Sequence, residues 1–153
     1  MRSLKPVLLV EDDQVDARTV KRAFSDLRIV NPLVQVGNGE EALKYLQNPQ
    51  NKIPCVILLD LNMPKMNGIE FLKVAKADEE FKKIPVVVLT TSKAEQDKVE
   101  SFKFSVAGYM TKPTDYKKFV DTVRAIDLYW SLSELPGEEA RSENAKLEAN
   151  IAC

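Results

Sequence analysis

The chain has 153 residues, 44% of them apolar and 29% charged, with a formal net charge of −1. That is about one domain's length with enough apolar residues for a core, and the near-neutral balance leaves no electrostatic footprint for nucleic acid or an anionic membrane. There is no histidine, which excludes Ser-His-Asp and Cys-His catalysis, imidazole metal ligation and phosphohistidine chemistry on this chain itself.

In chain order, the apolar run before Glu11 is too short for a signal peptide or a membrane span. It reads instead as a first strand, Val7 to Val10. Further runs follow at Leu33–Val36, Cys55–Leu59 and Val86–Leu89, with a weaker candidate at Ala107–Met110. Most are continuously apolar rather than alternating, as expected of strands covered on both faces of a parallel sheet.

Between the runs lie residues at helical spacing. Val20, Ala23, Phe24 and Leu27 fit one face of a first helix. Ala42, Leu43 and Leu46 fit a second, begun near Gly39, and Ile69, Leu72 and Ala75 a third, begun near Asn67-Gly68. Val99, Phe102 and Val106 fit a fourth. Phe119, Val123, Ile126 and Trp130 fit a fifth, with Thr114 as its N-cap. Strand and helix thus alternate five times, which predicts an α/β fold with a parallel sheet and right-handed crossovers.

The predicted domain spans residues 1–131. Residues 132–153 are acidic and polar and contain Pro136-Gly137, so they read as a mobile tail or an arm that docks on a second subunit. Of the two cysteines, Cys55 reads as a small buried hydrophobe and Cys153 is the last residue; no disulfide framework is implied. The expected compartment is therefore the cytoplasm.

In parallel α/β sheets ligands bind beyond the carboxyl ends of the strands. Glu11, Asp12 and Asp13 follow the first strand and Asp60 the third. Thr90, Thr91 and Ser92 follow the fourth, and Thr111, Lys112 and Pro113 the fifth. A lone acid after a strand usually caps a helix, and a lone Lys-Pro carries no information. Together, each after its own strand, they form an all-oxygen set suited to Mg²⁺, with one ammonium and one hydroxyl left to hold a phosphoryl group. A carboxylate in such company can act as a nucleophile toward phosphorus. Asp60 is the candidate, since it ends the most apolar run and precedes the turn Asn62-Met63-Pro64.

With these motifs in place, residues 4–131 resemble the response-regulator receiver domain of two-component systems. The resemblance implies a flavodoxin-like (βα)5 fold with strand order 2-1-3-4-5. It implies that Asp60 is the phosphoacceptor and that Mg²⁺ is held by Glu11, Asp12, Asp60 and the backbone carbonyl of Asn62. Thr90 matches the switch hydroxyl, Lys112 the active-site lysine and Tyr109 the aromatic switch residue. Pro113 matches a proline whose peptide bond is often cis in this family. Asp13 takes a capping or supporting role, and Asn62 and Ser92 occupy positions that tune the acyl phosphate's lifetime.

The implied activity is acceptance of a phosphoryl group from a partner histidine kinase, with only Mg²⁺-dependent self-phosphorylation and autodephosphorylation as chemistry of its own. The opening Val10-Glu11-Asp12-Asp13, the run Val87–Ser92 and the late Trp130 are similar to response regulators that partner bacterial phytochromes. The short polar tail leaves no room for a helix-turn-helix output and the net charge agrees, so a single-domain regulator acting through protein contacts is expected, with no nucleic-acid or membrane partner. The resemblance also implies a homodimer formed by the fourth helix, fifth strand, fifth helix and C-terminal arm. Candidate contacts are Phe104, Tyr109, Tyr116, Val120, Tyr129 and Trp130. Two other readings stand beside it. A haloacid-dehalogenase-like phosphohydrolase would need a second acid where Asn62 stands, and a phosphorylation-independent pseudo-receiver scaffold would not need the complete site. The kinase, input signal, target and phosphoryl lifetime are not written in the sequence.

Overall fold

A computed structural model describes residues 5–91, 95–113 and 115–132. Five strands, β1 (Val7–Val10), β2 (Leu33–Val36), β3 (Val56–Leu59), β4 (Val86–Thr90) and β5 (Gly108–Thr111), alternate with five helices. These are α1 (Gln14–Asp26), α2 (Gly39–Gln47), α3 (Gly68–Ala77), α4 (Glu95–Lys103) and α5 (Tyr116–Leu132). All strand pairs are parallel, in the order β2-β1-β3-β4-β5. The expected flavodoxin-like order is therefore observed.

The continuous apolar runs have a direct cause. Successive strand residues point to opposite faces, and here both faces are covered. Val7 and Leu9, Val56 and Leu58, and Val87 and Leu89 pack with Val20, Phe24, Phe119, Val123 and Ile126 of α1 and α5. Their neighbours Leu8 and Val10, Ile57 and Leu59, and Val86 and Val88 pack with Leu43, Leu46, Phe71 and Leu72 of α2 and α3. Neither strand face meets water, so a polar alternation would bury unpaired groups. Cys55 is buried at the entry to β3 as expected, but it is disulfide-bonded rather than a free thiol.

The helix starts are fixed by side chains. Asp13 caps α1, Asn38 caps α2, and Asn67 forms a capping box with Glu70 on α3. Thr114, the expected cap of α5, lies outside the described residues, as does the tail beyond Leu132.

Two local expectations are corrected and one element appears that the sequence reading did not include. Phe102, assigned to the core face of α4, is 53% exposed, and Val106 is buried only after α4 has ended. A three-residue 3₁₀ turn, Phe81–Lys83, precedes β4 and buries Phe81, because Asp78 accepts hydrogen bonds from the backbone N–H groups of Glu80 and Phe81. No described peptide bond is cis, so Lys112–Pro113 is trans, the ordinary state of a prolyl bond.

Two glycines let α2 and α3 seat closely against the rest. A Cβ on Gly68 would lie 2.7 Å from the carbonyl oxygen of Asp60 and 2.8 Å from Leu61 Cα, both backbone atoms. A Cβ on Gly39 would meet mainly the flexible Met66 side chain, at 2.6 Å from Cγ. Gly68→Ala is therefore expected to destabilise the fold by about 1–3 kcal/mol, as overpacking against rigid neighbours does, and Gly39→Ala by less. Urea unfolding of both variants checks the order.

Candidate functional site

The site is built on main-chain bonds at the carboxyl ends of the strands. Glu11 N–H donates to Val36 O at 2.9 Å and Asp60 N–H to Val10 O at 3.1 Å. Lys112 N–H donates to Thr90 O at 2.8 Å. These bonds continue the parallel ladders one step past the strands, so residues far apart in sequence end side by side. The loop that follows the third-strand acid is closed by Gly68, whose N–H donates to Leu61 O at 3.1 Å.

Glu11, Asp12 and Asp60 each offer a carboxylate oxygen, all within 4.8 Å of one another. Glu11 and Asp60 are buried and Asp12 is exposed. Asp60, 6% exposed, has one buried oxygen, Oδ1, with no hydrogen-bond partner in the structure. A buried carboxylate oxygen without a partner is costly. Facing two further carboxylates, it fits a hard divalent cation with oxygen ligands.

The electrostatics agree. The Glu11 carboxyl is pushed up to about 7 by burial first and by the Asp60 charge, against the opposing hydrogen bond from Lys112. The Lys112 ammonium is also raised: burial works against its charge, but hydrogen bonds to Glu11 and Asp16 and the Asp60 charge outweigh it. Acid and base shift in the same direction for different leading reasons: burial disfavours the Glu11 charge, whereas the carboxylates around Lys112 favour its charge.

Lys112, expected to hold an oxygen of a phosphoryl group, is engaged by carboxylates in the unphosphorylated site. Its Nζ bonds Glu11 Oε1 and, at 2.9 Å, Asp16 Oδ2. Asp16 is absent from the sequence reading. The signal was available: with Asp13 as N-cap, accepting from Val15 N–H at 2.8 Å and Asp16 N–H at 3.1 Å, residue 16 falls in the first turn of α1 beside the site. Gln35 was missed too. Its amide donates to Glu11 O at 3.1 Å and explains a polar residue in an otherwise apolar strand.

The other expected residues are found as follows. Thr90 is fully buried at the end of β4. Tyr109 on β5 is half-buried against the α2–α3 side of the core. Asn62 is exposed in the β3–α3 loop, and Asp13 caps α1 as anticipated. Ser92 lies outside the described residues. On the predicted dimer face, Phe104 and Val120 pack against the protein's own core, and Tyr116 turns to α1. There its hydroxyl donates to Asp26 Oδ2 at 2.6 Å, with the Arg22 guanidinium 4.0 Å from its ring centre. The side chains of Tyr129 and Trp130 are not among those described.

Comparison with known proteins agrees with this geometry. Residues 7–124 match the response regulator receiver domain family. The chain is 38% identical over 130 residues to the response regulator Rcp1 of Synechocystis, covering 82% of this chain and 88% of that protein. It is 36% identical over 127 residues to FilR2, a probable methanogenesis regulatory protein of Methanothrix harundinacea, covering 81% and 82%. Among solved structures, the phosphorylated cyanobacterial phytochrome response regulator RcpA superposes with a TM-score of 0.82 at 36% identity, covering 88% of this chain and 100% of that one. The Mn²⁺-bound form of Rcp1 gives 0.79 at 37%, covering 87% and 99%. A parallel five-stranded sheet with a carboxylate cluster and a buried lysine at one end, matched over most of its length, makes this chain a member of the response regulator receiver family, the phosphoacceptor side of two-component signalling.

Proposed function

We propose that Asp60 is the phosphoacceptor and that the observation carrying this is its partnerless buried oxygen amid the Glu11–Asp12 carboxylates. A phosphohistidine on a partner kinase donates the phosphoryl group: the P–N bond breaks as an Asp60 oxygen bonds to phosphorus. Glu11, Asp12, Asp60 and the Asn62 carbonyl would hold Mg²⁺, which would supply neutralisation of the charge that gathers on the phosphoryl oxygens. Lys112 pairs with one of those oxygens and the Thr90 hydroxyl with another. Tyr109 shifts with Thr90 and alters the surface of α4, β5 and α5, a local charge event biasing a two-state face. The chain's own chemistry is limited to self-phosphorylation and autodephosphorylation, and its compartment is the cytoplasm. No described helix is long and apolar enough to cross a membrane.

Neither alternative gains support. Asn62 stands where a haloacid-dehalogenase-like hydrolase needs its second acid, and a pseudo-receiver has no use for the full carboxylate–lysine set. Mass spectrometry after incubation with Mg²⁺ and acetyl phosphate is expected to show one added phosphoryl group on the wild type and none on Asp60→Asn. Labelling of the variant at the wild-type level would overturn the assignment.

The metal reading carries a pH dependence of definite sign. A carboxyl raised from 4.5 to about 7 stabilises the metal-free fold below the lower value and loses that contribution as pH rises through the upper one. Cation binding needs the ionised form, so Mg²⁺ affinity runs the opposite way. The rise in melting temperature produced by Mg²⁺ is expected to be large at about pH 8 and small at about pH 6. Differential scanning fluorimetry measures it.

The kinase partner is read as a phytochrome, supported by the likeness to Rcp1 and to the phytochrome response regulator RcpA. A homodimer through α4, β5, α5 and the C-terminal arm is supported by Phe102 and Leu128, which are 53% and 52% exposed on α4 and α5. Two large apolar side chains in water are consistent with a docking face. Sedimentation equilibrium is expected to give a dimer mass with Mg²⁺ and beryllofluoride, and a monomer mass for Leu128→Glu under the same conditions.

A further inference from the structure

Lys112 is shared between two carboxylates of different character. Glu11 is buried beneath it, whereas Asp16 is 38% exposed on the first turn of α1. The Lys112 side chain is itself only 8% exposed, so its ammonium cannot exchange these partners for bulk water. The Asp16 backbone is fixed by the Asp13 cap, which leaves its carboxylate only rotamer freedom.

The Asp16–Lys112 pair lines a cleft of about 430 Å³ between α1 and α5, together with Thr19, Arg22 and Tyr116. A carboxylate released by the lysine would find water and the Arg22 guanidinium there, not an apolar wall. Asp16 can therefore be released at low cost once another anion takes the ammonium, in contrast to a pair in which both members are sealed in the core.

We propose that Asp16 is a positioning residue that holds Lys112 on the α1 side in the resting state and competes with the phosphoryl group for its ammonium. This rests on the reading of Asp60 as phosphoacceptor. A phosphoryl group brings nearly two negative charges beside Asp60. With the carboxylates of the metal cluster engaged by the cation, Asp16 is the contact that Lys112 must give up to reach the new oxygens. The strength of the Asp16 contact thus sets how far the equilibrium lies toward the phosphorylated arrangement, without Asp16 touching the reacting atoms.

Beryllofluoride, which adds to an acceptor carboxylate as a phosphoryl mimic, tests this as an equilibrium. In saturating Mg²⁺, ¹⁹F NMR titration is expected to show Asp16→Asn binding the mimic roughly threefold to tenfold more tightly than the wild type, the range for losing one partly exposed charge-assisted contact. Asp16→Glu, which keeps the charge, is expected to stay near the wild type. Urea unfolding accompanies each variant. A carboxylate with a merely structural role would weaken the mimic's binding along with the fold, whereas the proposal requires tighter binding with unchanged or lower stability. Unchanged or weaker binding by a folded Asp16→Asn, with normal binding by the wild type and none by Asp60→Asn, would overturn the role of Asp16 alone. A folded wild type that takes up no beryllofluoride would overturn the phosphoacceptor reading and this inference with it.

Discussion

An excess of negative charge around one ammonium governs the carboxyl end of this sheet. Glu11, Asp12, Asp16 and Asp60 gather there and Lys112 answers two of them, Glu11 and Asp16. Folding places that charge without neutralising it. The imbalance adds to burial in raising the Glu11 carboxyl, and against burial it holds the proton on the Lys112 ammonium. It also explains why one oxygen of Asp60 is left without a partner. A site under this tension is stabilised by cations and is altered by any further anion, which is the physical requirement for a switch that responds to a phosphoryl group.

The core supplies the counterweight. Strands β1, β3 and β4 are apolar on both faces and buried between two helical layers. Burial on that scale yields free energy that a charged cluster consumes only in part. The capped starts of α1 and α3 meet the same edge, so the loops carrying the acids are clamped from both sides. Gly68 shows how tightly: there is no room for a methyl group between α3 and the Asp60 carbonyl.

Much of this was legible in the sequence because it depends on residue type and order. Uninterrupted runs such as Val86–Leu89 reveal a doubly covered strand, and the placement of Glu11, Asp60, Thr90 and Lys112 after successive runs reveals the shared edge. What escaped depends on direction. Phe102 fits a helical stripe by spacing, but α4 presents it to water, and spacing alone does not say which side of a short helix faces the sheet. Asp16 and Gln35 act through single contacts to residues distant in sequence, and such contacts leave no periodic trace. The side to which Lys112 leans was equally hidden, since a lysine's four-carbon stem reaches several acceptors from one backbone position.

The main-chain bonds from Glu11, Asp60 and Lys112 to neighbouring strands have a consequence for evolution and engineering alike. The address of each functional position is written in backbone, and its chemistry in side chain. The two can therefore vary independently. Substitutions at these positions can retune metal preference, signal lifetime or the need for a signal at all, while the scaffold goes on delivering whatever side chain is installed to the same place. One fold can in this way host a whole spectrum of timers.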